Sequence, residues 1–137
     1  MLNLNKTKTM NKTDALSLFD QWNHAVQTGD PKKVTQLYEK DAILLPTISN
    51  QVRHNHKEIE NYFIQFQENA PSGEINESNF RNLGNISIHS GLYTFTFKDH
   101  SKVQARYTFV YKWNGQDWKI IEHHSSQMPE LTTTKSL

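Results

Sequence analysis

Apolar residues return every three or four positions in the first half of this chain and every second position in the last third. The first spacing predicts helices and the second predicts strands. Ala15, Leu18, Phe19, Trp22, Ala25 and Val26 form one helical stripe, with Thr13 as N-cap and Gly29 as the stop. Asp30 caps a second helix that has Pro31 at its first position and Val34, Leu37 and Tyr38 on its inner side. AILLP, from Ala42, reads as a short buried strand ended by Pro46, and QVRH as another short extended piece. Asn55 and Glu58 have the spacing of a capping box before Ile59, Tyr62, Phe63 and Phe66.

After NAPSG the chain turns strand-like. EINESNFRNLGNISIH is polar and weak, with a bulge expected at Gly84. GLYTFTF, KVQARYTFVYKW and DWKIIEHHSS are rich in aromatic and β-branched residues, with turns at Asp99-His100 and Asn114-Gly115. Helices followed by strands predict an α+β fold, with about three N-terminal helices on one face of an antiparallel sheet.

Composition narrows the function. The chain has 137 residues, a formal charge of +1 and no cysteine. One domain over 12–130 is expected, between a flexible arm at 1–11 and a frayed tail at 131–137. Met10 is a possible initiator. Disulfides and thiolate metal sites are excluded. No basic stripe points to nucleic acid and no apolar run is long enough to span a membrane. The N-terminus has no secretory pattern, so a cytoplasmic location is expected.

The orientation of the adjacent His123 and His124 decides the candidate chemistry. A two-residue loop at Asn114-Gly115 pairs Tyr107 with Glu122 and Ala105 with His124. A four-residue loop shifts the partners by two and keeps the same sets on each face. Tyr107, Phe109, Tyr111, Glu122 and His124 then face the helices, while Arg106, Thr108, Val110, Ile121, His123 and Ser125 face away. A bulge would exchange the sets beyond it. The two histidines point to opposite faces, so they cannot share one metal, and no metal or cofactor is expected. With a two-residue turn at Asp99-His100, Tyr93 and Phe95 also face away. That leaves large apolar groups on the uncovered face and predicts a homodimer through the sheet.

The segments GDPKKVTQLYEKDAILLP, VRHNHKEIENYF and KVQARYTFVYKWNGQDWKIIEHHSSQMP resemble the nuclear-transport-factor-like (cystatin-like) cone. Within it they are most similar to the association domain of calcium/calmodulin-dependent protein kinase II and its small bacterial SgcJ/EcaC-type relatives. The resemblance covers about residues 13–130. It implies a curved sheet wrapped around a long helix, a pocket between them, and dimers that sometimes stack into rings. The kinase domain carries arginines where this chain has Ser125 and Phe109, so the resemblance implies a less basic, more aromatic pocket. The ketosteroid isomerases of this fold place a catalytic aspartate where this chain has Leu45.

The expected function is a self-associating, non-catalytic domain with a small-molecule pocket. Trp22, Arg53, His54, His56, Tyr62, Tyr93, Tyr107, Glu122 and His124 are the candidate ligand-binding residues. For Trp22 and Tyr62 the competing reading is plain core packing, and for His56 a role at the helix start. Arg53 needs either an internal carboxylate such as Glu122 or a ligand. One alternative is a small enzyme of isomerase, dehydratase or hydrolase type, with Glu122 or His124 as base and Tyr107 or Arg53 polarising a carbonyl. Another is an adaptor that binds a partner chain through the sheet or the SSQMPE tail.

Overall fold

The computed structural model describes residues 9–130. Helix α1 spans Lys12–Gln27, α2 Pro31–Thr35 and α3 His56–Phe66, and Gln67–Asn69 adds a 3-10 turn. The strands are β1 Tyr38–Leu45, β2 Ser72–Asn82, β3 Ile86–Thr96, β4 Lys102–Trp113 and β5 Trp118–Gln127.

Local chemistry sets the helix ends. Asn11, not Thr13, caps α1: its side chain accepts from the Asp14 amide while Asp14 accepts from the Asn11 amide. Met10 is already buried, so the packed unit begins inside the stretch expected to be a loose arm. Residues 1–8 of that arm and the tail at 131–137 lie outside the described residues. Gly29, with φ of +79°, turns the chain between α1 and α2. Asp30 then caps α2, and Asn55 caps α3. The second helix stops at Thr35, so Tyr38 opens a strand instead of closing a helix.

The sheet order is β1-β5-β4-β3-β2. Three neighbouring pairs are antiparallel, but β1 runs parallel to β5. The sheet is therefore mixed, which corrects the expected all-antiparallel arrangement. A parallel pair needs a long connection, and α3 with strands β2, β3 and β4 supplies it. The polar stretch around Gly84 is two strands, with Gly84 in the turn between them at φ of +86°. The bulge in β2 lies elsewhere, between Ile75 and Glu77. There Gly91 of β3 approaches so closely that a Cβ would lie 2.0 Å from the Glu77 carbonyl oxygen.

Two register details decide which residues face inward. The β3–β4 connection is one residue longer than expected. Phe97 N–H donates to the Ser101 carbonyl, and His100 takes φ of +71°. Tyr93 therefore pairs with Ala105 and Phe95 with Val103, and both rings are buried under the helices. In the β4–β5 hairpin the loop has four residues, with Trp113 opposite Trp118 and Tyr111 opposite Ile120. A bulge follows: Val110 pairs with Glu122, Thr108 with His124, Phe109 with His123 and Tyr107 with Ser125. The extra residue, Ile121, exchanges the two faces beyond it. Glu122 and His124 are exposed on the outer face, while His123 and Ser125 are buried inside. This reverses their expected placement.

The core lies between α1, α3 and the inner face of the sheet. Ala15, Phe19, Trp22 and Val26 of α1 meet Phe63 of α3 and Tyr93, Phe95 and Phe109 of the sheet. Asn23 fastens α1 to β2 through two bonds with the Gly73 backbone, at 2.8 and 3.1 Å. Among the described residues no helix is long and apolar enough to cross a membrane.

Candidate functional site

A cavity of about 220 Å³ opens between the helices and the sheet. Trp22 of α1 and Tyr62, Phe63 and Phe66 of α3 form one wall, and Tyr93, Phe95 and Val103 form the other. Leu44, Pro46, Thr47 and Ile48, at the end of β1 and beyond, also line it. Ile48 is exposed and holds φ of +58°, a conformation a β-branched residue rarely adopts.

The floor is polar and continuous. The Trp22 indole N–H donates to the Tyr38 hydroxyl at 3.0 Å, which lies 2.8 Å from His123 Nδ1. His123 Nε2 is 3.2 Å from the Tyr93 hydroxyl, which donates to Ser125 Oγ at 2.6 Å. Ser125 Oγ is hydrogen-bonded in turn to Thr47 Oγ1. The His123 ring also stacks on Phe109, with centroids 4.0 Å apart. Burial, with the neighbouring His124 charge adding to it, pushes His123 down to about 3. Burial also raises the Tyr38 and Tyr93 phenols well above their ordinary value. At neutral pH the network is uncharged.

Three of the expected site residues line this cavity: Trp22, Tyr62 and Tyr93. Arg53 stands behind its wall. Its Nη1 donates to the Glu58 carbonyl, and its guanidinium lies 5.6 Å from the Tyr62 ring centroid. The expected Glu122 partner is on the opposite face of the sheet. Burial raises the Tyr62 phenol while the Arg53 charge opposes that rise. His54 is exposed and bonds the Glu58 carboxylate at 3.0 Å, which helps hold that carboxyl below its usual range. His56 Nε2 lies 2.7 Å from the Tyr38 carbonyl oxygen, so it ties α3 to β1. Tyr107 is buried on the inner face but outside the cavity lining, and its hydroxyl donates to the Glu77 carbonyl at 3.0 Å.

Sequence reasoning missed His123, Ser125, Thr47 and Tyr38. One unrecognised bulge hid the first two. The adjacency of His123 and His124 did guarantee that one histidine would face inward. Among the described residues no group of three or more His, Asp or Glu side chains is placed to hold a metal ion.

A family model described as the calcium/calmodulin dependent protein kinase II association domain matches residues 11–129. Among solved structures, a candidate association domain of this kind from Xanthomonas campestris is 43% identical, with a TM-score of 0.82 over 96% of this chain and 100% of that one. An NTF2-like protein of unknown function from Pseudomonas putida KT2440 is 18% identical, with a TM-score of 0.75 over 92% of each chain. A candidate dehydratase of the NTF2-like family from Streptomyces avermitilis is 12% identical, with a TM-score of 0.74 over 87% of this chain and 96% of that one. The latter two likenesses show the cone-shaped, cystatin-like fold. No curated protein matches.

Proposed function

Because this chain belongs to the calcium/calmodulin-dependent protein kinase II association-domain family, we propose that it is a self-associating domain that holds a small uncharged molecule and performs no chemistry on it. One observation carries the pocket reading: among the described residues no Asp, Glu, Lys or Arg lines the cavity. A charged ligand would lose its hydration there without gaining a counter-ion. The volume suits one or two fused rings, since an apolar cavity of about 150 Å³ already accepts benzene.

Proton transfer at this site would fall to His123. Both its nitrogens are engaged within the protein, and at about 3 its basicity is too low for a general base near neutrality. Glu122 and His124, the bases an enzyme reading requires, lie on the far side of the sheet. The outer face supports self-association. Ile86, Ile88, Leu92 and Val110 are half-exposed there, with the charged Arg106 and Glu122 beside them. A second copy related by a two-fold axis would cover the aliphatic strip and bring these charges together across the interface.

The reading is tested by light scattering after size exclusion, for the wild type and Leu92→Glu. A dimer or ring is expected for the wild type and a monomer for the variant. A monomeric wild type at tens of micromolar would contradict self-association, and a mass fitting only a complex with another protein would favour the adaptor alternative. For the pocket, uncharged bicyclic aromatics should raise the melting temperature more than their carboxylate analogues. Equal or greater shifts with the carboxylates would contradict it.

A further inference from the structure

The polar floor of the cavity has a direction. The Trp22 indole nitrogen can only donate, so the Tyr38 oxygen receives its proton. The Tyr38 hydroxyl then has its own proton to place, and His123 Nδ1 lies 2.8 Å away. That makes Nδ1 the acceptor and puts the imidazole proton on Nε2, facing the Tyr93 oxygen. The opposite tautomer would leave the deeply buried Tyr38 with a proton and nowhere to donate it, an expensive arrangement. The Tyr93 hydroxyl passes the direction on by donating to Ser125 Oγ.

The chain ends at Ser125 and Thr47, which bond each other and both line the cavity. Five bonds link six groups, each carrying one polar proton at neutral pH. One proton is therefore left over, and because the Trp22 end is closed, it emerges at the Ser125–Thr47 end. This holds whichever of the two hydroxyls donates to the other. Among the described residues Thr47 Oγ1 bonds Ser125 alone. Each donor in the chain except the indole is itself an acceptor, and such chains polarise along their length, which strengthens the last donor.

We infer that the cavity selects an uncharged, mostly apolar molecule bearing a hydrogen-bond acceptor, a carbonyl or ether oxygen seated on the Ser125 and Thr47 hydroxyls, over one that offers only a donor. The inference rests on the pocket reading above and adds the polarity of its ligand. An acceptor satisfies the surplus proton. A pure hydrocarbon or a lone N–H leaves that proton unpaired once the cavity is filled.

Three probes of similar size separate the possibilities: 1-indanone with an acceptor, indole with a donor and indane with neither. Calorimetric titration of the full chain should show 1-indanone binding about five- to tenfold tighter than indane, with indole no tighter than indane. In Thr47→Val combined with Ser125→Ala, the preference for 1-indanone should vanish while indane still binds. If the double variant does not fold, Thr47→Val alone should shrink the ratio. The carbonyl stretch of 1-indanone bound to the wild type should move to lower frequency than in an alkane solvent. Equal binding of the three probes, tighter binding of indole, or an unchanged ratio in the variants would overturn the inference and leave the pocket standing. Binding of none of them would remove both.

Discussion

His89 and His123 both sit on the inner wall of the sheet, each beside tyrosines and a serine, yet only His123 borders the cavity. His89 Nε2 meets Ser78 Oγ at 2.7 Å and the Tyr107 hydroxyl at 3.0 Å, and its Nδ1 has no partner among the described residues. His123 engages both nitrogens. Burial pushes both below their ordinary value, His89 to about 4 and His123 to about 3. Ser78 and His89 have the atoms of a nucleophile and its base, but nothing orients Nδ1, as an activated nucleophile requires. A buried imidazole beside a hydroxyl is therefore not a site by itself. His123 differs because α3 and the end of β1 leave space beside it, and because its hydrogen bonds run to a hydroxyl facing that space.

The largest expected effect falls at the His89 end. Gly91→Ala would drive a Cβ into the Glu77 carbonyl at the bulge that brings Ser78 to His89. Unfolding in urea should show a loss of about 3 kcal/mol or more. A loss under about 1 kcal/mol would mean the bulge is pliable.

Acid should act through His123 next. Its folded value of about 3 lies below the unfolded value near 6.5, so the unfolded chain binds the extra proton between them. Stability from this group is complete above pH 6.5 and falls as pH drops towards 3, by about 1.4 kcal/mol per unit. Between pH 7 and 5 that amounts to about 2 kcal/mol. Urea titrations of the wild type and His123→Gln should show the variant with the shallower pH dependence. Identical slopes would contradict the assignment.

The smallest effects separate the two ends by function. Tyr93→Phe and Tyr107→Phe should each cost about 1 kcal/mol of stability. Only Tyr93→Phe, which cuts the chain to Ser125, should weaken 1-indanone, and Tyr107→Phe should leave its affinity within about twofold. A matching loss in both would erase the distinction.

Much of the fold was legible because its signals are local. The stripe through Phe19, Trp22 and Val26, the Asp30-Pro31 restart and the Asn55 cap each depend on a few neighbouring residues. The site was less legible because strand faces alternate with period two. One added residue in the loop at Lys98–His100 turned Tyr93 inward, and one bulged residue at Ile121 moved Glu122 outward and His123 inward. Neither addition has a strong mark in the sequence. His100 takes its left-handed conformation without glycine, and Ile121 is an ordinary strand residue. The parallel pairing of β1 with β5 joins distant segments, and no local pattern announces it.

The most direct test is the histidine side-chain nitrogen spectrum of the labelled protein, with His123 assigned by comparison with His123→Gln. The expected result is a neutral ring with its proton on Nε2, unchanged from pH 7 to about 4.5. A ring that titrates near 6.5 would contradict the inward orientation of His123, and a neutral ring with its proton on Nδ1 would contradict the direction of the chain beside it.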